Sequence, residues 1–202
     1  MPPGYTLTWS GQYEYMERAS KRLQLIIPVT LVLIFLLLYF NFKEVLSPLV
    51  VMFTVPLGLA GGLWLIYWLD YNISVAVAVG FIALAGISAE IGVLVLTFIN
   101  QEIRTRLSTK AGGKLTREEI WEAVFTGTSE RVRPVTMTCV AILSGLIPVM
   151  ITSGTGSDVM HRIAAPMVGG TVSVLILSLL VLPVVYGSVL ILKDKFIGKS
   201  SP

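Results

Sequence analysis

One acidic residue, Glu90, lies where the chain is otherwise apolar. It sits in the run GISAEIG, residues 86–92, whereas every other Asp or Glu falls in a loop or at the end of an apolar block. A charged side chain deep in a membrane span costs about 3 kcal/mol or more unless it is neutralised or paired. Low dielectric surroundings favour the neutral carboxyl, so proton uptake and release become possible. The sequence predicts a proton-relay carboxylate, and the alternative is a structural hydrogen bond between helices.

The candidate partners of Glu90 are hydroxyl groups. No Lys, Arg, Asp or His lies in the interior of any apolar block, so the chain offers no buried cation to pair with the carboxylate. Ser88, Thr136 and Thr138 are the nearest polar residues by type. We expect Thr136 and Thr138 to belong to the relay, and we expect further partners to come from outside these 202 residues.

The elements that hold these residues are long apolar blocks. The chain is 54% hydrophobic and 13% charged, and its mean hydropathy is +0.81. A membrane-spanning helix needs about 20 predominantly apolar residues, and lipid forces the backbone to satisfy its own hydrogen bonds. The sequence therefore predicts an all-α integral membrane protein with five transmembrane helices, over residues 23–40, 45–69, 73–99, 134–152 and 163–192.

The distribution of Lys and Arg predicts the orientation. Five spans place the two termini on opposite sides of the membrane. One side holds eleven basic residues and the other holds four. Because basic residues are enriched in cytoplasmic segments, we expect the N-terminus outside and the C-terminus in the cytoplasm.

The segments outside the spans are short, apart from residues 100–133. In that loop Thr116 and Glu119 have capping-box spacing, and apolar residues follow at helical intervals. This pattern predicts a short amphipathic helix on the cytoplasmic surface, over about 116–127, with a plain connector helix as the alternative. Residues 1–20 are polar and aromatic and are interpreted as the end of a preceding folded domain. Residues 21–195 form the transmembrane domain, and 196–202 form a cytoplasmic tail.

Small residues within the blocks predict close contacts between helices. Glycine pairs occur at 61–62 and 169–170, and Ala83, Gly86 and Ala89 are predicted to line one helix face of the third block. Small side chains let membrane helices approach closely. We therefore expect a tight bundle, in which these positions face neighbouring helices.

Several functional classes are disfavoured. A membrane-embedded enzyme needs convergent polar groups at one depth, and the spans offer a single carboxyl. A single histidine excludes a zinc site built from several histidines of this chain, and no basic stripe with stacking aromatics suggests nucleic-acid binding. We expect no resident cofactor and no enzymatic activity. A structural or assembly subunit without transport is a further alternative, which the buried acid argues against.

Four stretches resemble the heavy-metal RND efflux permeases of the CusA and CzcA type. Residues 5–19 resemble the end of their second periplasmic porter domain. The run VGFIALAGISAEIGVLVL, 79–96, resembles their tenth transmembrane helix, and RVRPVTMT, 131–138, resembles the entry to the eleventh. The run GTGSDVMHRIAAPMVGG, 154–170, resembles the turn into the twelfth.

The resemblance implies the rest of the architecture. The chain would supply helices eight to twelve of a twelve-helix permease in the bacterial inner membrane. The permease would be a homotrimer that docks a periplasmic adaptor, or membrane fusion protein, and an outer-membrane channel. Proton flow would drive export of a heavy-metal cation.

The resemblance also bears on the metal. Glu90 matches the relay carboxylate of the copper and silver branch, and Met160 matches a methionine which that branch uses near the periplasmic face. Thioethers are soft ligands suited to Cu(I) and Ag(I), so these ions are the expected substrates, with divalent zinc, cobalt or cadmium as the alternative. Val135 departs from the pattern, because copper and silver members commonly carry a Lys there.

Overall fold

The computed structural model describes residues 12–109 and 115–197, which form five long helices joined by short connections. The helices are α1 (Gln12–Phe42), α2 (Leu46–Trp68), α3 (Val75–Thr109), α4 (Arg117–Ile151) and α5 (Ser157–Ile197). Each is long and apolar enough to cross a membrane. The predicted all-α fold with five transmembrane helices is therefore confirmed.

The fourth helix differs from the expected one. Residues 116–127 do not form a separate amphipathic helix on the surface, because they are the cap and first turns of α4, which continues to Ile151. The predicted capping box is present at Thr116 and Glu119, and the Thr116 amide donates to the Glu119 carboxylate at 2.6 Å. Pro134 lies inside the helix, where a proline removes one backbone hydrogen bond. The sequence placed a helix boundary at this proline, but the helix runs through it.

The first helix is also longer than the predicted span. Residues 12–20 are helical and continue into the apolar part of α1. Residues 1–11 and 198–202, which contain most of the predicted porter-domain end and of the predicted tail, lie outside the described residues.

The core forms around α5, which packs against α2, α3 and α4. Among the helices that the structure describes, α1 packs on α2 and α3 alone and leaves most of its surface exposed. The α2–α5 contact is close because both helices carry glycine. A Cβ atom on Gly61 would lie 2.9 Å from the Gly169 carbonyl oxygen, and one on Gly169 would lie 2.7 Å from the Gly61 carbonyl oxygen. The close approach predicted for the two glycine pairs is confirmed.

The bundle has two distinct ends. The Glu44 end contains the α1–α2 turn, the last turns of α3 and α5, and the start of α4, where Trp121 packs on Gly187. The Arg162 end contains the α2–α3 and α4–α5 turns, and there Arg162 donates to the Asn72 carbonyl oxygen at 3.4 Å. The short turns include residues with positive φ, Lys43 and Asp70 at 55° and Gly156 at 89°.

Candidate functional site

Helix α3 places Glu90 in the middle of the bundle's height. Glu90 is the sixteenth of the 35 residues of α3, about 22 Å from the first residue at 1.5 Å per residue. Its side chain is exposed in this chain, on the same face as Ala83, Gly86 and Leu94. The carboxyl is therefore at membrane depth, and it points away from the packed interior.

The opposite face of α3 forms the centre of the core. Leu84, Ser88 and Val95 have no exposed surface, and this face packs against α2 and α5. Among residues 12–109 and 115–197, none forms a hydrogen bond or an ion pair with the Glu90 carboxyl. Any polar partner of Glu90 must approach the open face.

A glycine lies one turn before Glu90 on this open face. A Cβ atom on Gly86 would meet nothing within 4 Å. A Cβ atom on Gly80, on the packed side of the same helix, would lie 2.4 Å from the Ile163 carbonyl oxygen. Ala83 is exposed as well, whereas Ala89 is buried. The three residues predicted to line one face thus differ in burial, since Ala83 and Gly86 lie on the open face and Ala89 is buried at the edge of the packed face.

The two threonines reach the level of Glu90 without contacting it. Helices α3 and α4 run antiparallel, with Gly127 packed on the backbone of Ile99. Glu90 is nine residues before Ile99 and Thr136 is nine after Gly127, so both lie at about the same height. However, the Thr136 hydroxyl donates to the Val132 carbonyl oxygen at 2.6 Å. The Thr138 hydroxyl donates to the Pro134 carbonyl oxygen at 3.1 Å. Both hydroxyl groups are engaged by their own helix.

Met160 lies in the first turn of α5 at the Arg162 end, far from Glu90. Its side chain is 61% exposed. The neighbouring His161 ring nitrogen Nε2 lies 2.9 Å from the Thr152 carbonyl oxygen. In the described part of the chain, no group of three or more His, Cys, Asp or Glu side chains could hold a metal ion. The thioether is therefore accessible at the Arg162 end of the bundle.

A second polar cluster, which the sequence analysis missed, lies at the Glu44 end. The Tyr186 hydroxyl of α5 donates to the Asn100 side-chain oxygen of α3 at 2.5 Å. The same hydroxyl lies 3.0 Å from the Ser47 hydroxyl of α2, and Ser47 also contacts the Glu44 carboxylate. Tyr186 and Ser47 have no exposed surface. The sequence offered one indication of this cluster: Ser47 and Tyr186 are polar residues inside apolar blocks, and Asn100 directly follows one.

Charged groups tie α3 to α4 at the same end. The Arg106 guanidinium donates to Glu102 at 2.8 Å and to Glu122 at 2.9 Å. The Arg131 guanidinium carbon lies 3.0 Å from the centre of the Phe98 ring, an arrangement in which the ring face attracts the cation. The contacts of Arg106 with Glu122 and of Arg131 with Phe98 join α3 to α4 in the same antiparallel register as the packing of Gly127 on Ile99.

Comparisons with known proteins agree with this architecture. A family model described as the AcrB/AcrD/AcrF family matches residues 1–190. The chain is 42% identical over 186 residues to the cation efflux system protein CusA of Escherichia coli, covering 92% of the chain and 18% of that protein. It is 37% identical over 186 residues to the cobalt-zinc-cadmium resistance protein CzcA of Cupriavidus metallidurans, covering 92% of the chain and 16% of that protein.

The likeness extends to three dimensions. The X-ray crystal structure of a heavy metal efflux pump superposes with a TM-score of 0.75 and 35% sequence identity, covering 92% of the chain and 18% of the pump. The chain thus spans less than a fifth of the length of the relatives that it matches.

Proposed function

Because the chain belongs to the AcrB/AcrD/AcrF family, as part of an RND-type heavy-metal efflux permease, we propose that it serves proton-driven export of heavy-metal cations. It acts as a secondary active transporter segment in the bacterial inner membrane, with no enzymatic step and no resident cofactor. Protons are the coupling ion, and the metal ion is the substrate.

The placement of Glu90 carries this proposal. A carboxyl at mid-height on a face that the bundle leaves open can exchange a proton with groups that approach this face. An acid fixed in the packed core would instead be held by its neighbours. The energetic cost of a charge at this depth gives protonation and deprotonation a large effect on which surroundings α3 favours. This is the coupling that an antiporter requires between proton binding and conformation.

Cu(I) and Ag(I) are the substrates that we propose. The accessible Met160 thioether at the Arg162 end suits soft monovalent ions, and Glu90 is an acid at the position that the copper and silver branch uses. Divalent cobalt, zinc or cadmium is the second candidate, favoured by the similarity to CzcA and by Val135, which takes the place of a Lys and is 2% exposed. Because Val135 cannot pair with Glu90, the basic side chain that such a relay needs comes from another helix.

The proposed assembly follows the family. The permease acts as a homotrimer with a periplasmic adaptor and an outer-membrane channel. The Glu44 end, which carries most of the Lys and Arg residues, faces the cytoplasm, and the Arg162 end faces the periplasm. Thr136 and Thr138, at the height of Glu90, belong to the proton path when their hydroxyls turn away from their own helix.

Substitution of Glu90 tests the proposal most directly. The 186-residue segment is grafted in place of the matching segment of Escherichia coli CusA, in a host that lacks its own pump. Glu90→Gln keeps the size of the side chain but cannot carry a proton. We expect resistance to copper and silver to fall to that of the host without a pump. Undiminished resistance at equal protein levels would rule out the relay.

Two comparisons complete this experiment. Glu118→Gln makes the same chemical change at an exposed site in the first turn of α4 and should leave resistance intact. Growth on zinc, cobalt and cadmium measures the substrate class independently of the relay. Protection against the divalent ions alone would replace the copper and silver assignment and leave the proton mechanism standing.

A further inference from the structure

Helix α2 has one side that the other described helices leave uncovered. Its opposite side carries Val51, Val55 and Ile66, which are almost fully buried in the bundle. The uncovered residues recur at helical intervals, which places them on one side of the helix. This side, the outer face of α2, consists of Leu49, Phe53, Pro56, Ala60, Leu63, Trp64, Tyr67 and Trp68.

The side chains of the outer face are large for a contact between helices. Helices that pack together in a membrane favour small residues where they meet, as α2 and α5 do at Gly61 and Gly169. The outer face has a single small residue of this kind, Ala60. Phe53 and Leu63 instead project over most of their length from the described helices. Large apolar side chains fit acyl chains, which are as apolar as leucine.

The aromatic residues of the outer face cluster toward the Arg162 end. Trp64, Tyr67 and Trp68 are 75%, 83% and 81% exposed. In the part of the chain that the structure describes, none of their polar groups bonds to another residue. Trp and Tyr are enriched at membrane–water interfaces, because the ring suits acyl chains and the polar group needs a hydrogen-bonding partner. The three rings therefore mark one boundary of the bilayer.

The length of α2 matches the thickness of a bilayer. Its 23 residues, Leu46–Trp68, include no Asp, Glu, Lys or Arg and rise about 34 Å at 1.5 Å per residue. The hydrocarbon core of a bilayer is about 30 Å thick. The aromatic cluster thus lies about one hydrocarbon thickness from Lys43, which is exposed in the α1–α2 turn.

Basic side chains at the two ends complement phospholipid headgroups. Lys43 lies where the phosphates of one leaflet are expected, and the carboxylate of the neighbouring Glu44 contacts Ser47 of α2. At the other end Arg162 lies beside the α2–α3 turn, where it donates to a backbone carbonyl oxygen. Asp70 is exposed in that turn, so the complementarity is stronger at Lys43. Basic residues near the membrane surface are attracted to anionic lipids.

We propose that the outer face of α2 contacts the phospholipid bilayer directly along its whole length. Lys43 lies at the phosphate level of one leaflet, and the cluster of Trp64, Tyr67 and Trp68 lies at the headgroup level of the other. Acyl chains cover the apolar residues between these levels. This inference concerns the lipid contacts of the bundle and is independent of the coupling ion and of the metal.

Spin labels on the outer face test the proposal in the complete permease. The segment grafted into Escherichia coli CusA is placed in vesicles of phosphatidylethanolamine and phosphatidylglycerol. One nitroxide is attached to a substituted cysteine, in a background without other reactive cysteines. Collisions with oxygen, which concentrates in hydrocarbon, and with a water-soluble nickel chelate report the depth of the label. We expect Phe53→Cys and Leu63→Cys to be open to oxygen and closed to nickel, at about 6 and 9 Å from the bilayer centre, taken at Leu57.

Labels at three other positions complete the comparison. Val45→Cys and Tyr67→Cys should collide with the nickel chelate, because they lie about 18 and 15 Å from the centre, where the hydrocarbon ends. Ala83→Cys is the matched control on the open face of α3. Ala83 is also exposed in this chain, but small residues there favour contact with a further helix, so we expect its label to be shielded from oxygen.

Two results of the labelling would overturn the proposal. A label at Phe53 that oxygen does not reach would show that another helix of the permease, or a second copy of the chain, covers the outer face. A label at Phe53 that the nickel chelate reaches would show that this face borders water.

Tryptophan fluorescence provides a second measurement that needs no label. The emission lost in a variant with both Trp64→Phe and Trp68→Phe belongs to these two rings. We expect bromine atoms near the carbonyl end of the acyl chains to quench this emission more than bromine atoms near the chain end, because both rings lie toward the headgroups. Emission that neither lipid quenches overturns the proposal, as does stronger quenching from the chain end. Neither measurement depends on Glu90 or on metal export.

Discussion

Helix α3 presents two faces of different construction. On the packed face, Leu84 and Val95 are fully buried, and a Cβ atom on Gly80 or Gly92 would come within 3.2 Å of atoms of neighbouring helices. On the open face, Gly86 has free space around it, and Glu90 has neither a hydrogen bond nor an ion pair to the described part of the chain. Glycine therefore occurs on both faces, but only on the packed face does it allow a neighbouring helix of this bundle to approach closely.

The packed face of α3 stabilises the bundle, and the open face leaves the Glu90 carboxyl accessible to other groups. A helix-interior glycine costs roughly 0.5–1 kcal/mol relative to alanine, and close packing offsets this cost at Gly80. No contact in the described chain offsets it at Gly86, one turn from the carboxyl proposed to carry protons. The open face is therefore small beside the carboxyl, at Ala83 and Gly86, and otherwise apolar, as at Ile82 and Leu94.

The largest expected effect is a bulky side chain on the open face. Gly86→Leu fills the space beside Glu90, so we expect the grafted permease to lose metal resistance by about five- to 150-fold, the result of an overpacking cost of roughly 1–3 kcal/mol. The isolated chain should be at least as stable in detergent as before, because nothing in the bundle lies beside Gly86 and a glycine inside a helix is unfavourable. The control is Ile82→Leu, an isomeric change on the same face. A drop in the stability of the isolated chain would show that this face is packed after all.

A smaller effect distinguishes the two glycines of α3. In Gly80→Ala the new methyl group collides with the Ile163 carbonyl oxygen, and the expected loss is about 1–3 kcal/mol of unfolding free energy. Gly86→Ala, six residues along the same helix, should leave the isolated chain as stable or raise its stability by roughly 0.5–1 kcal/mol. Both values come from denaturant unfolding of the purified chain in micelles. Equal losses for the two substitutions would contradict the assignment of faces.

The smallest effect belongs to the ion pairs beyond the apolar part of α3. Arg106→Gln removes the contacts with Glu102 and Glu122, which are partly open to solvent, and pairs near the surface contribute about 1 kcal/mol or less. We expect a loss of that size at low ionic strength that shrinks as salt is added, because salt screens surface charges. A loss that does not depend on salt would indicate packing by the side chain rather than its charge.

Much of the architecture follows from the sequence. The apolar blocks fixed the number of helices, and the glycine pairs at 61–62 and 169–170 indicated where helices approach most closely. Helix ends were less predictable, because α3 and α4 extend beyond the hydrocarbon as polar helices. A proline marks a probable boundary, yet α4 continues through Pro134.

Of the two candidate sites, one could be recognised from the sequence and the other could not. Glu90 was recognisable because a lone acid is conspicuous in an apolar block. The cluster of Glu44, Ser47, Asn100 and Tyr186 was not, because its members are far apart in sequence and each is unremarkable alone. Only the packing of α2, α3 and α5 brings them together.

By itself, the sequence determined that this protein has five membrane-spanning helices and a single acid at their mid-height. It could not determine which face of α3 is buried. In lipid, packed and lipid-facing positions are both apolar, so no change in polarity around the helix marks the face that packs. The shapes of facing side chains decide that face, and only the tertiary structure contains them.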